Sequence, residues 1–129
     1  MSNSLDRLNV ISLFVADVAV AKTFYQRVFG ARIIFEDADS AVVGFDNVML
    51  NLLVDTEAAD LVAPTTVATK SHGVRCQFTI FVDDVDSVCE GLVAAGVTTL
   101  TPAQDRPWGK RTACFEDPDG HNWEVAQDI

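Results

Sequence analysis

An internal repeat constrains the fold of this chain more than any other feature. The segment ISLFVADV at residues 11–18 is similar to FTIFVDDV at residues 78–85, and both end in an Asp-Val pair. The glycines that follow, Gly30 and Gly96, repeat at almost the same interval. Because a repeat of fixed period indicates a repeated structural unit, the sequence predicts two copies of one supersecondary motif.

Each copy begins with an alternating apolar strand that ends at an aspartate suited to cap the next helix. The first helix is predicted over residues 18–29 and ends at Gly30, and the second over residues 85–95 and ends at Gly96. The residues predicted to face inward are Val20, Phe24 and Val28 in the first helix and Val85, Val88, Leu92 and Ala95 in the second.

Three short strands, divided by turn residues, are predicted after each helix. They cover residues 31–35, 40–45 and 48–54 in the first copy and residues 97–101, 111–115 and 122–127 in the second. Each copy therefore follows the order βαβββ, and the expected fold class is α+β.

A linker over about residues 56–72 lacks clear periodicity and is predicted to contain at most one helical turn. The flanking modules cover about residues 8–55 and about residues 73–127. A unit of roughly 55 residues buries too little surface to be stable alone. The two modules are therefore expected to form a single domain over residues 1–129.

Two motifs of the second module and one of the first carry a family resemblance. The segment RPWGKR at residues 106–111 precedes FEDPDGHNWE at residues 115–124, and FY at residues 24–25 precedes FG at residues 29–30. This pattern resembles the bleomycin-resistance branch of the vicinal-oxygen-chelate superfamily, which also holds glyoxalase I and extradiol dioxygenases. The resemblance covers nearly the whole chain. It implies a glyoxalase/bleomycin-resistance fold, in which two βαβββ modules form a curved mixed sheet.

The resemblance also implies a homodimer whose crevices hold a small molecule, and it leaves open whether the dimer is domain-swapped. Apolar edges at Phe14, Phe81 and Trp123 are expected to need cover, and a two-fold pairing lets one patch bury itself. Because Trp123 alternates with Glu124 along its strand, its side chain is expected to face a helix or a partner subunit.

Superfamily enzymes hold a divalent ion with one side chain from each of four strands. The resemblance places these positions at Val10, Asn51, Gln77 and Glu124, with Asn51 aligned to within one or two residues. Valine cannot be a ligand, and amides are weak neutral ligands. One carboxylate and two amides are too few strong donors for a tight transition-metal site. We therefore expect neither a metal nor another cofactor.

Four residues are the candidate ligand-binding residues: Trp108, Glu124, Gln77 and Asn51. A carboxylate at Glu124, among apolar residues of a crevice, favours a cationic or hydrogen-bond-donating ligand. The Trp108 ring suits stacking on a planar or cationic ligand, and the alternative is that it packs within its loop.

The remaining reactive residue types give no catalytic pattern. His72 and His121 are expected to be solvated or capping side chains, and Cys76, Cys89 and Cys114 to be buried small hydrophobes. No Ser-His-Asp or Cys-His arrangement can be assembled, so nucleophilic catalysis has no support. The DPDG segment at residues 117–120 predicts a turn between two strands.

The overall charge restricts the partners. Nine Lys and Arg against nineteen Asp and Glu give a formal net charge of −10. Nucleic acid and anionic membrane surfaces are poor partners for such a chain. No apolar run approaches the ~20 residues that span a bilayer. Three cysteines without a CxxC pair fit reduced thiols, so the expected location is cytoplasmic.

These observations predict a metal-free small-molecule-binding protein of the bleomycin-resistance type. It would sequester a ligand, such as a cationic or planar antibiotic, in a crevice at the dimer interface. The alternative is an enzyme, a glyoxalase-like lyase or isomerase or a dioxygenase, with an atypical site that uses Gln77 and Glu124. A third reading is a family member with an interaction role and no small ligand. The sequence does not identify the ligand.

Overall fold

Two compact units make up the protein in the computed structural model, which describes residues 3–129. The first unit ends at Val67 and the second covers Ala68–Ile129, so the boundary lies within the predicted linker. Each unit contains a four-stranded mixed sheet. Together with three helices in the described residues, these sheets confirm the predicted α+β fold with two βαβββ modules.

The first unit places the first and last strands of its module side by side. Its elements are β1 (Val10–Val15), α1 (Val18–Phe29), β2 (Arg32–Glu36), β3 (Ser40–Gly44) and β4 (Met49–Val54). The strand order is β1-β4-β3-β2, with β1 parallel to β4 and the other pairs antiparallel.

Helix α1 begins and ends where the sequence predicts. The Asp17 carboxylate accepts the N–H of Val20 at 3.1 Å, and Gly30 ends the helix in the left-handed region at φ 63°. The prediction that Val20 faces inward is wrong, because its side chain is 51% exposed. The buried positions are Ala21, Phe24 and Tyr25. This row has the i, i+3, i+4 spacing of one helix face.

The second unit repeats this arrangement. Its module consists of β5 (Gln77–Phe81), α3 (Val85–Ala94), β6 (Gln104–Arg106), β7 (Lys110–Glu116) and β8 (Asn122–Asp128). The strand order is β5-β8-β7-β6, with β5 parallel to β8. Asp84 caps α3 by accepting the N–H of Ser87 at 3.1 Å, as Asp17 caps α1. Of the four residues predicted to face inward, Val85 and Leu92 are buried in α3.

The linker has more structure than predicted. Helix α2 (Asp55–Val62) has two turns rather than at most one, and a short 3₁₀ turn follows at Lys70–His72. Only Ala58 of α2 is buried, so the eight-residue segment shows little of the apolar periodicity that reveals a helix. Within the described residues, no helix is long and apolar enough to cross a membrane.

The strand predicted at residues 97–101 is the main error in the second unit, because the edge strand β6 lies at Gln104–Arg106 instead. Threonine side chains take part in the pairing before β6 begins. The hydroxyl of Thr99 accepts the N–H of Glu116 at 2.8 Å, and that of Thr101 accepts the N–H of Cys114 at 3.0 Å. These hydroxyls supply the acceptors that carbonyl groups supply in a regular ladder.

Candidate functional site

Three of the four predicted site residues, Asn51, Gln77 and Glu124, lie on the sheet faces that do not carry α1 or α3. We call this side of each sheet its front face. In β1, buried Leu13 and Val15 alternate with Val10 and Ser12. In β7, Arg111 points to the other side, because its guanidinium contacts Asp86 of α3 at 3.0 Å. Side chains of a strand alternate between the two faces, so these contacts fix which residues belong to the front.

The front face of the second sheet brings Gln77 and Glu124 together. Gln77 lies opposite Asn122 on the neighbouring parallel strand, and its Nε2 donates to Asn122 Oδ1 at 2.7 Å. Two residues further along, Thr79 lies opposite Glu124, and its hydroxyl donates to Glu124 Oε1 at 2.8 Å. Oε2 of Glu124 has no hydrogen bond to any group of residues 3–129. One carboxylate oxygen is therefore oriented by the protein while the other keeps its capacity to accept.

The front face of the first sheet holds Asn51 in the equivalent place. Asn51 lies opposite Ser12 in the β1–β4 pair, and Ser12 occupies the position in the first repeat that Thr79 occupies in the second. Asn51 is therefore the structural counterpart of Glu124. Its Nδ2 lies 3.4 Å from Ser12 Oγ, and its buried Oδ1 has no partner among the described residues. Exchanging the amide oxygen and nitrogen would only transfer the deficit to Nδ2. A buried polar atom without a partner indicates an unused site for a ligand or water.

Trp108 lies in the turn between β6 and β7 with 65% of its surface exposed. Both readings of Trp108, stacking on a ligand and packing within its loop, stay predictions. The Arg106 guanidinium carbon lies 5.9 Å from the centre of the Trp108 ring, within the range of a cation–π contact. The Arg106 Nε donates to the hydroxyl of Thr112 at 2.9 Å, which holds the guanidinium on the front face. Sequence reasoning did not select Arg106, although it stands two residues before Trp108 in the RPW motif.

The front-face residues do not fit the metal site of superfamily enzymes. Val10 has no lone pair, and the side-chain amides of Asn51 and Gln77 are weak neutral ligands. Within residues 3–129, no group of three or more His, Cys, Asp and Glu side chains is arranged to hold an ion. Glu124 is then the one strong donor among the four aligned positions, and a tight transition-metal site needs more.

Both histidines take structural roles close to those predicted. His121 Nδ1 lies 2.7 Å from Asp117 Oδ2 in the turn between β7 and β8, where Gly120 adopts φ 86°. Burial alone lowers the pKa of His121. The hydrogen bond to Asp117 and the charges of Asp117 and Asp119 together raise the pKa by more than burial lowers it, so the pKa of His121 is raised overall. His72 Nδ1 accepts the N–H of Thr69 at 3.0 Å and so caps the 3₁₀ turn.

The prediction that the three cysteines are buried is wrong. Cys76 is exposed, and Cys89 and Cys114 are half-buried. Cys76 immediately precedes β5, and Cys114 points to the front face opposite Glu124, with its Sγ 3.4 Å from the hydroxyl of Thr101. Burial, followed by the nearby charge of Asp86, raises the pKa of the Cys89 thiol despite the opposing effect of Arg111. A raised pKa makes this thiol a weak nucleophile.

Trp123 and Phe81 differ in a way that bears on self-association. The side chain of Trp123 is 4% exposed, and its ring centre lies 5.0 Å from that of Phe78 inside the second unit. Trp123 is therefore on the helix side of the sheet, as its alternation with Glu124 predicts, and it is not an exposed edge. Phe81 is 77% exposed.

Comparisons with known proteins agree with the fold. The sequence model of the Glyoxalase/Bleomycin resistance protein/Dioxygenase superfamily matches residues 7–125. The metallothiol transferase FosB of Lysinibacillus sphaericus is 27% identical over 121 residues, which cover 94% of this chain and 82% of FosB. The uncharacterized protein Mb0911c of Mycobacterium bovis is 31% identical over 126 residues, covering 91% of this chain and 80% of that protein.

Solved structures show the same architecture. A glyoxalase/bleomycin resistance protein/dioxygenase from Nocardioides superposes with a TM-score of 0.86 at 21% identity, covering 99% of this chain and 87% of the other. TioX from Micromonospora sp. ML1 superposes with a TM-score of 0.71 at 27% identity, covering 95% and 98%. With its sequence matched over residues 7–125 and its fold shared across nearly its full length, this chain belongs to the glyoxalase/bleomycin resistance protein/dioxygenase superfamily.

Proposed function

We propose that the protein binds and sequesters a small organic molecule without a metal, in the manner of a bleomycin-resistance protein. The observation that carries this proposal is the unused hydrogen-bonding capacity of the front faces. The buried Oδ1 of Asn51 lacks a partner among the described residues, and Glu124 Oε2 accepts no hydrogen bond there. Asn51 Oδ1 favours a ligand that supplies a donor, because an unpaired buried acceptor costs about 1–3 kcal/mol, and the carboxylate oxygen Oε2 of Glu124 can accept from the same kind of group.

Each unit would contribute its own recognition groups, with Gln77, Glu124 and Trp108 in the second unit and Asn51 in the first. Glu124, oriented by Thr79, accepts from a cationic or hydrogen-bond-donating group. Asn51 and Gln77 contribute amide groups, and Trp108 offers an exposed aromatic face to a planar ring system. A cationic or planar antibiotic is one ligand class that fits this set.

A metal-dependent enzyme is the second candidate function, because a relative with 27% identity is named a metallothiol transferase. The donor set of this chain counts against it, since Val10 stands at one of the four aligned positions and amides at two others. A carboxylate that is already bonded to Thr79 is the one strong donor that remains.

The purified protein is expected to contain no stoichiometric metal, and added Zn, Ni, Mn or Fe is expected to leave its melting temperature unchanged. A metal at 100 times its dissociation constant would add about 2.7 kcal/mol of stability, which a melting assay detects. Elemental analysis and native mass spectrometry test both the metal content and the presence of a co-purified organic molecule. One metal per subunit, lost in Glu124→Ala, would favour the enzyme instead.

A homodimer is the expected assembly, with Phe81 in its interface. The 77% exposed Phe81 ring is a large apolar surface on the front face, and pairing of two copies would cover it. Light scattering at tens of micromolar should give twice the subunit mass of 14.0 kDa. Phe81→Ser should shift the protein towards the monomer. The exposed Val93 of α3 offers the control, because Val93→Ser removes a similar apolar surface from the helix side. A wild-type monomer would exclude the dimer.

A further inference from the structure

We propose that Arg106 and Trp108 form a subsite for a planar ligand that carries a carboxylate group. This inference rests on the proposed small-molecule binding and adds the chemical class of the ligand. The subsite lies entirely within the second unit, at the end of the front face where β6 turns into β7.

The Arg106 guanidinium is held in place and retains donors for a ligand. Its Nε donates to Thr112 at 2.9 Å, and its central carbon lies 5.9 Å from the centre of the Trp108 ring. A guanidinium carries five N–H donors, and Nε uses one of them. The two terminal nitrogens match the two oxygens of a carboxylate in a bidentate pair.

Arg106 differs from the two cations of the neighbouring strand β7 because no carboxylate of residues 3–129 pairs with it. The two cations of β7 are both paired. Arg111 contacts both Asp86 and Asp105 within 3.0 Å, and Lys110 pairs with Asp128. The chain has nineteen acidic residues, but even Asp105, the immediate neighbour of Arg106 in sequence, forms its ion pair with Arg111. A half-buried guanidinium without a carboxylate in so acidic a chain is therefore free to bind an external anion.

Trp108 adds the requirement for a planar group. The guanidinium of Arg106 already makes a cation–π contact with the indole of Trp108, so it would repel a cationic ligand at this ring. The exposed remainder of the ring can stack on an uncharged aromatic system. An aromatic carboxylate satisfies both groups at once, since its ring covers the indole while its carboxylate meets the guanidinium.

The position of Glu124 fits the same ligand class. Thr112, which holds Arg106, lies two residues along β7 from Cys114, and Cys114 lies opposite Glu124. Successive residues on one face of a strand are about 7 Å apart. Arg106, hydrogen-bonded to Thr112, and Glu124 are therefore near neighbours on this front face, which suits a molecule with an anionic group for Arg106 and a donor group for Glu124.

The test uses two probes of the same shape, 2-naphthoate and the uncharged 2-naphthamide, in isothermal titration calorimetry. The wild-type protein should bind 2-naphthoate about tenfold more tightly than 2-naphthamide, since a hydrogen-bonded charge pair contributes about that much. Arg106→Gln should remove this preference, so that the two probes bind the variant with equal affinity. Arg106→Lys should retain part of it. Arg27→Gln is the control, because it removes the same charge from an exposed position of α1.

Three results would overturn the subsite. They are equal affinity of the wild-type protein for both probes, a preference that survives Arg106→Gln, and no binding of 2-naphthoate at millimolar concentration. The proposed function is tested separately by Trp108→Ala. Suppose that Trp108→Ala loses affinity for both probes and that the wild-type protein does not prefer 2-naphthoate to 2-naphthamide. Small-molecule binding is then supported, and the carboxylate subsite is excluded. A preference lost equally in Arg27→Gln would show that net charge, and not Arg106, causes it.

Discussion

Replacing Asp117 by alanine is expected to lower the free energy of unfolding by about 3 kcal/mol, because each buried group left unpaired costs about 1–3 kcal/mol. The carboxylate is fully buried and accepts the backbone N–H groups of Asp119 and His121, each at 2.9 Å. It also lies 2.7 Å from His121 Nδ1. Its removal leaves these donors without that acceptor inside the turn. Urea denaturation monitored by fluorescence measures the change.

The first unit supplies a matched control for the role of burial. Asp37 accepts the N–H groups of Asp39 and Ser40 at 2.9 Å and 2.8 Å in the turn between β2 and β3, so it too is an aspartate that orders a turn between two strands. Unlike Asp117, Asp37 is exposed, so water can replace the lost acceptor. Asp37→Ala should therefore destabilise the protein less than Asp117→Ala. Equal losses would show that burial of the Asp117 carboxylate is not the cause.

The same contact makes stability depend on pH. The pKa of His121 in the folded protein is raised above its ordinary value of 6.5, so its protonated form is favoured by folding. This contribution is fully present below about pH 6.5 and is lost as the pH rises through the raised pKa. As the pH rises above about 6.5, the unfolding free energy of the wild type should therefore fall by more than that of His121→Gln. Parallel curves would exclude the contribution.

Local signals made much of the fold predictable. Asp17 and Gly30 act within one turn of α1, so a capping carboxylate and a left-handed glycine are visible in the sequence. Because the sequence repeats, the same two signals predicted the bounds of α3. Helix α2 was missed because it buries only Ala58, and β6 was misplaced because Thr99 and Thr101 pair through their hydroxyls. Neither feature leaves an apolar period in the sequence.

Only those residues of the candidate site that the repeat or the family resemblance aligned could be predicted from the sequence. Counting along the repeat placed Gln77 on β5, and strand register then makes Asn51 the counterpart of Glu124. Arg106 was missed because its significance depends on contacts across β6 and β7 and on the absence of a carboxylate partner among the described residues. Composition favours a different ligand, because a net charge of −10 attracts cations and not the carboxylate proposed for Arg106.

Substitution by alanine should change the stability of the protein strongly at one tryptophan of the second unit and hardly at the other. Trp123→Ala is expected to lower the free energy of unfolding by about 3–5 kcal/mol, because the ring is 4% exposed and packs on Phe78. Trp108→Ala is expected to change it by less than about 0.5 kcal/mol, because the ring is 65% exposed and contacts the mostly polar side chain of Arg106.

Ligand affinity should show the reverse order for these two variants. If Trp108 stacks on a bound planar molecule, Trp108→Ala should weaken binding by about 1–3 kcal/mol, a loss of roughly 5-fold to 150-fold. Trp123 lies on the helix side of β8, on the opposite face of the strand from Glu124. Trp123→Phe keeps most of the packing and should therefore bind 2-naphthoate as the wild type does. An affinity that falls in Trp123→Phe but not in Trp108→Ala would place the ligand away from the front face.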